Sequence, residues 1–173
     1  KDGHTRSVET KIRSRTDALL RGLLYAPSGE RMYPTYSRKN GRKYHYYVSK
    51  SEARFGAPGK GYERLPAPEI EGAVVAQIRT VLTSPETVAS VVRHIQRNGA
   101  QIDEATTVMA MGRLNNVWDQ LFPKEQQRIT QLLIERVHLH ERGLDILWRE
   151  DGWLGFSDDI HNHPLVQETR GAA

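Results

Sequence analysis

Asn40-Gly41 separates two runs rich in residues that favour extended backbone, Arg31-Met32-Tyr33-Pro34-Thr35-Tyr36-Ser37 and Lys43-Tyr44-His45-Tyr46-Tyr47-Val48-Ser49. Both central residues of a type I′ turn need positive φ, and Asn-Gly supplies that pair at little steric cost. The spacing therefore predicts a β-hairpin. Its tip is cationic, with Arg38 and Lys39 entering the turn and Arg42 and Lys43 leaving it. Period-2 alternation on the second strand sets Tyr44, Tyr46 and Val48 on one face, predicted to pack, and Lys43, His45 and Tyr47 on the other, predicted free to bind. Pro34 suits an edge strand, because it has no N–H to give to a central ladder.

The segments around this hairpin follow from composition and period. Residues 1–17 carry Arg6, Lys11, Arg13 and Arg15 with few large apolar groups and read as a basic linker or arm. Leu19-Leu20-Arg21-Gly22-Leu23-Leu24-Tyr25 is an apolar anchor, closed by the turn signal Pro27-Ser28-Gly29. The run Phe55-Gly56-Ala57-Pro58-Gly59-Lys60-Gly61 lacks a Gly-Lys-Ser/Thr phosphate-binding signature and is expected to be a flexible connection.

From Pro66 the apolar period becomes helical: Ile70, Val74, Ile78 and Val81 lie on one face, with Pro68 near the helix start. Ser84-Pro85-Glu86 opens a second helix through Val88, Val91, Val92 and Ile95 to a stop at Asn98-Gly99. Asp103 can cap a third, carrying Val108, Met111, Leu114, Trp118 and Leu121; Phe122-Pro123 ends it. A fourth is predicted over about 124–136, with Ile129, Leu132 and Leu133 inward. Alternation then returns at Val137, Leu139 and Glu141, and Arg142-Gly143 turns the chain into Leu144-Asp145-Ile146-Leu147-Trp148.

The predicted fold class is thus α+β: a basic antiparallel β-ribbon over 18–65, a segment of about four helices over 66–136, and a C-terminal hairpin over 137–160 that can return to the first ribbon. Residues 18–160 would form one composite domain, and 161–173 a flexible tail.

Charge follows the same division. Residues 1–65 hold 15 Lys and Arg against 6 Asp and Glu, while residues 66–173 hold 10 against 15. All 7 tyrosines lie in the basic part. Cations interleaved with aromatic rings are the composition of a surface that meets a polyanion, because cations neutralise phosphates while flat rings pack on sugar or base edges. With 0 cysteines the chain has neither disulfides nor a thiolate zinc site. No apolar run approaches the ~20 residues that cross a bilayer, and no signal peptide opens the chain, so a soluble protein with no membrane partner is expected.

Candidate chemistry is sparse. His138 and His140 sit two apart on one strand face, with His161 and His163 further on, but no spaced third ligand accompanies them; surface or packing histidines are the simpler reading. Glu150-Asp151 and Asp158-Asp159 point to opposite faces if extended and read as solvated acids. Ser28-Gly29 lacks the context of a nucleophile elbow. The 3-4-3 stripe Met111, Leu114, Trp118, Leu121 spans less than two heptads and fits packing within the chain better than a coiled-coil seam. No catalytic site, metal site or cofactor is expected. Two other classes stay open: a helical interaction module using the acidic segment 66–136, and a small hydrolase or nuclease using His138, His140 and Asp145.

Taken in order, Leu19-Leu20-Arg21-Gly22-Leu23-Leu24-Tyr25, Arg31-Met32, the basic hairpin with Tyr44-His45-Tyr46-Tyr47-Val48-Ser49, and Leu65-Pro66-Ala67-Pro68-Glu69-Ile70-Glu71 resemble the ribbon domain of large serine recombinases. Leu121-Phe122-Pro123-Lys124-Glu125-Gln126, Leu133-Ile134-Glu135-Arg136-Val137 and Gly143-Leu144-Asp145-Ile146 are similar to the C-terminal segment of the same family. The resemblance implies a cytoplasmic, DNA-binding C-terminal region that recognises recombination-site DNA, a seryl nucleophile in an absent N-terminal domain, and other recombinase protomers as partners.

Many members hold the ribbon with four cysteines on zinc; here Ala26-Pro27-Ser28 and the positions near Ser49 and Ala57 offer no thiolate, so apolar packing is expected instead. Residues 84–121 look too short for the long antiparallel arm of integrases. The expected DNA contacts are Arg38, Lys39, Arg42 and Lys43 at the tip, His45, Tyr47, Lys50 and Arg54 flanking the groove, and Arg13 and Arg15 tracking the backbone.

Overall fold

In a computed structural model of the chain, residues 18–49, 64–97, 99, 104–149, 151, 152 and 156 are described. The architecture is α+β. Strands β1 (Leu24–Tyr25), β2 (Met32–Lys39), β3 (Arg42–Ser49) and β4 (Arg64–Pro66) precede four helices, α1 (Ala67–Thr83), α2 (Pro85–Arg97), α3 (Glu104–Val117) and α4 (Pro123–Leu133). A 3-10 turn, Trp118–Gln120, follows α3, and strands β5 (Ile134–His140) and β6 (Gly143–Trp148) come last among the described elements. The strands form two sheets, β2-β3-β4 and β1-β5-β6.

The hairpin is built as its turn residues dictate. Asn40 (φ 51°) and Gly41 (φ 75°) both occupy the left-handed region, and β2 pairs with β3 in unbroken register from Met32–Ser49 to Lys39–Arg42. β4 adds to β3 only opposite Tyr46, Tyr47 and Val48. The ribbon therefore has a three-stranded foot and a two-stranded outer part that projects beyond it. Pro34 lies on the edge strand β2, where its missing N–H costs no ladder bond.

The terminal hairpin does return to the N-terminal segment, but to β1 and not to the ribbon. β1 runs parallel to β5 with Leu24 opposite Val137, and the Val137 N–H donates to the Leu23 carbonyl at 2.8 Å. Its two-residue loop is Glu141-Arg142, with Gly143 already paired to His140.

One apolar core joins both sheets to the helices, running from Leu20 and Leu24 through Met32, Val74, Ile78 and Trp118 to Ile134 and Val137. α2 buries the four residues that its period indicates, Val88, Val91, Val92 and Ile95. In α1 the stripe ends on Leu82, with Val81 half-buried, because Ile70, Val74, Ile78 and Leu82 keep a strict four-residue spacing. In α3 the inward position of the first turn is Thr107, and Val108 faces outward. Met111, Leu114, Trp118 and Leu121 are all buried within the chain. α4 starts at Pro123, and Glu125 returns its carboxylate to the Phe122 N–H at 2.8 Å, so Phe122-Pro123 opens this helix as well as ending the one before. Helix gives way to strand at Ile134, earlier than the predicted 136. Past β6, Gly152 lies so close to the Leu132 carbonyl that a Cβ there would collide with it, and Phe156 is buried. Asp103 and Asn98 lie outside the described residues.

These faces set unequal costs. Leu82→Ala, which empties a fully buried site, is expected to lower unfolding free energy by about 2–5 kcal/mol. Val108→Ser on the outer face should stay within about 0.5 kcal/mol of wild type. Urea denaturation of both variants reads the difference, and equal losses would contradict the helix orientations.

Candidate nucleic-acid interface

Cross-strand pairs share a face, so the ribbon register sorts its side chains directly. Met32, Pro34, Tyr36, Arg38, Lys43, His45 and Tyr47 lie on one face; Tyr33, Thr35, Ser37, Lys39, Arg42, Tyr44, Tyr46 and Val48 lie on the other. Burial does not follow that division. It follows distance from the foot: Met32, Tyr47 and Val48 are buried, whereas Tyr36, Tyr44, His45 and the four tip cations are exposed.

Tyr47 thus departs from its expected role. It shares a face with His45 and Lys43, as the alternation requires, but it sits where β4 and α1 cover the sheet and is 0% exposed. Its hydroxyl donates to Glu71 Oε1 at 2.6 Å and accepts from the Leu20 N–H at 3.0 Å. The Leu19 N–H donates to the same Glu71 oxygen at 3.0 Å. One phenol and one carboxylate therefore tie the ribbon to α1 and to the turn before β1. Burial, then the adjacent Glu71 carboxylate, keeps the Tyr47 hydroxyl protonated well above the usual phenol range. Burial also raises the Glu71 carboxyl, against the two hydrogen bonds that favour its charged form. The cleft between ribbon and α1, bounded by Pro34, His45, Pro68 and these two residues, has a volume of about 140 Å³. That is below the ~300 Å³ of a typical ligand pocket, so it reads as a joint.

The face expected to pack is largely open beyond Val48. Tyr33 and Tyr44 are exposed, and the Arg64 guanidinium lies 4.7 Å from the centre of the half-buried Tyr46 ring. Tyr44 therefore does not pack as the alternation predicts and Tyr46 does so only in part, because alternation identifies which residues share a face but not how far along a strand the cover extends. On the opposite face Lys43 Nζ is 5.1 Å from the centre of the Tyr36 ring, and the Tyr36 and His45 rings are 6.3 Å apart. Lys43, Tyr36 and His45 thereby form a continuous cationic and aromatic strip.

At the tip, Arg38 stands directly opposite Lys43 and Lys39 opposite Arg42. Like charges in directly opposed pairs are destabilising. The sequence contains no Asp or Glu from Arg31 through Ser51, and among the described residues no carboxylate pairs with any of these four cations. Arg13, Arg15, Lys50 and Arg54, the other expected contacts, lie outside the described residues. On the second sheet His140 Nε2 is 3.6 Å from Asp145 Oδ1, yet among the described residues no three His, Cys, Asp or Glu side chains group as metal ligands.

Residues 19–79, from the turn before β1 into α1, match the family model of the recombinase zinc beta ribbon domain. Among solved structures, the chain is similar to one described as "Sequence Requirements of the Listeria innocua prophage attP site", with 14% identity and a TM-score of 0.44 over 80% of this chain and 46% of that one. A second, described as "Crystal Structure of a LSR-DNA Complex", has 14% identity and a TM-score of 0.46 over 81% of this chain and 61% of that one. The chain therefore spans between about half and three-fifths of the length of those structures. No curated protein matches it.

The zinc in the family's description does not fit this chain. The sequence has 0 cysteines. The turn after β1 is closed by backbone alone, Ala26 N–H to the Glu30 carbonyl and Gly29 N–H to the Ala26 carbonyl, both 2.8 Å, with the Ala26 side chain buried. Met32, Tyr47 and Val48 fill the foot of the ribbon. Among the described residues no helix is long and apolar enough to cross a membrane.

Two outcomes follow for this joint. EDTA should leave the thermal midpoint unchanged, and a fall would reveal a structural metal. Tyr47→Phe strands the Leu20 N–H and one Glu71 contact and should cost about 1–3 kcal/mol. Because the folded Glu71 carboxyl titrates above its ordinary 4.5, its contribution is complete below that pH and is lost as pH rises through the raised value. Wild type should therefore lose stability relative to Glu71→Gln as pH climbs from 4.5. A difference that is constant, or that moves the other way, would reverse the assignment.

Proposed function

We propose that this chain is the DNA-binding region of a serine site-specific recombinase, non-catalytic in itself, whose ribbon docks on duplex DNA at recombination sites. The observation that carries this reading is the tip: two opposed cation pairs with no acid among the described residues to neutralise them, on a two-stranded ribbon that extends beyond its three-stranded foot. A fold tolerates such repulsion where a polyanion relieves it. The match of residues 19–79 to a recombinase domain model supports the same partner.

A two-stranded β-ribbon fits the ~12 Å major groove of B-DNA. Arg38, Lys39, Arg42 and Lys43 reach phosphates or guanine edges, where a bidentate arginine is worth about 1–3 kcal/mol of discrimination. His45 and the Tyr36 ring line one wall of the ribbon, Tyr44 and Arg64 the other, and Lys50, Arg54, Arg13 and Arg15 extend the contact along the backbone. Tyr47 does not touch DNA; it anchors the ribbon. Strand exchange belongs to a seryl-nucleophile domain of the longer protein, and other protomers meet this region on DNA inside the cell. The acidic helices serve as the mount of the ribbon.

If about six phosphates are neutralised, log affinity falls against log salt with a slope near −5. Fluorescence anisotropy on a labelled duplex measures it. Arg42→Ala with Lys43→Ala should make the slope shallower by about 2. A flat salt response of the wild type, or unchanged binding by the double variant, would overturn the ribbon-tip reading. Concentration-dependent mass by light scattering without DNA binding would favour a protein-interaction module.

A further inference from the structure

We propose that the outer face of the β1-β5-β6 sheet, where Arg31 and Arg136 converge on Tyr25, is a second contact site for duplex DNA phosphates, engaged while the ribbon tip occupies the groove. It rests on the ribbon reading above. Three elements build it. Tyr25 ends β1 beside His138 of β5, Arg31 pairs with Tyr25 through an isolated backbone bridge just before β2, and Arg136 is exposed on β5.

The two guanidinium groups are held, not trailing. Arg31 Nε and Nη2 donate to the Tyr25 hydroxyl oxygen at 3.2 and 2.9 Å, with its Cζ 5.5 Å from the ring centre. Arg136 Cζ is 4.5 Å from the same centre. The two like charges thus lie within about 10 Å of each other, comparable to the ~8 Å Debye length at physiological ionic strength, so their repulsion is only partly screened. Among the described residues neither has a carboxylate partner. Asp145, on the same face, is 3.6 Å from His140 Nε2. Cation–π contact pre-orients both planar forks, and a guanidinium already ordered loses less entropy when it takes a phosphate in bidentate fashion.

Reach is consistent with a single duplex. The eight residues of β2 at ~3.3 Å each put the Arg31 site about 26 Å from the tip, inside the ~34–36 Å of one B-DNA turn. The tip can then sit in the groove while the second site meets the backbone at its flank. A phosphate contact adds affinity and salt dependence without reading sequence.

The test is an anisotropy salt titration of the full chain with Arg31→Gln and Arg136→Gln together. The expected result is a slope shallower by about 2, since each neutralised phosphate contributes ~0.9, with the ranking of duplex sequences unchanged. Arg31→Lys with Arg136→Lys, which keeps the charges, should restore most of the slope. If the double Gln variant unfolds, by circular dichroism, Arg136→Gln alone should still lose about 0.9. An unchanged slope for the Gln variants, while Arg42→Ala with Lys43→Ala lowers it, would overturn this site and leave the ribbon reading standing. A flat response of the wild type would overturn both.

Discussion

The hydrogen bond between the Tyr47 hydroxyl and Glu71 is the joint on which the rest of the molecule hangs. At 2.6 Å it falls in the range of a hydroxyl donating to a carboxylate, the stronger class of hydrogen bond in proteins. Through the Leu19 and Leu20 N–H groups it draws together three segments distant in sequence: the turn before β1, the foot of the ribbon and the first helical turns of α1. A metal would organise such a junction by ligation. Here a buried ring, its single polar atom fully engaged, does so by packing and direction together. A structural zinc contributes on the order of 10 kcal/mol, and one charge-assisted hydrogen bond about 1.5–3. The difference falls to apolar burial, and Met32, Leu20, Leu24 and Ile70 lie in the same core as Tyr47.

This joint also explains why the ribbon is asymmetric along its length and not across its faces. Cover stops where β4 stops, at Tyr46, and the register beyond it is carried by β2 and β3 alone. Beyond that line lie the four tip cations with Tyr36, Tyr44 and His45, all exposed. Among the described residues no carboxylate pairs with the tip: Arg79 pairs with Asp119, between α1 and the 3-10 turn, and Asp145 lies 3.6 Å from His140 on the second sheet. Exposed pairs of this kind contribute only about 0–1 kcal/mol.

What could be read from the sequence was whatever local stereochemistry decides. Asn40-Gly41 specified the turn because positive φ at two successive residues has few solutions. Ser84-Pro85 and the spacing of Val88, Val91, Val92 and Ile95 specified α2 in full. Where neighbours in space decide, reading failed. Val81 and Leu82 are equally apolar, and only packing selects the second. Val108 is apolar yet faces outward, because Thr107 can turn its small side chain to the core. The two-residue strand β1 pairs in parallel across more than a hundred positions, a contact with no local signature. Period 2 places Tyr47 on its observed face but carries no information about which end of a strand is roofed, so it does not foretell the burial of that ring.

The outer ribbon has little apolar burial to hold it, and a two-stranded hairpin alone is at best marginally stable in water. Its order depends on the turn, on the ladder continuing from the foot, and on the Lys43, Tyr36 and His45 strip. Opposed cations work against that order. An anion that neutralises Arg38, Lys39, Arg42 and Lys43 would remove the repulsion and add contacts at once, so it would stiffen the tip as well as bind to it. Under the proposed function, part of the binding free energy is thus repulsion already present in the free protein, and the rigid Tyr47–Glu71 foot prevents the ribbon from relieving it by folding back onto the acidic helices.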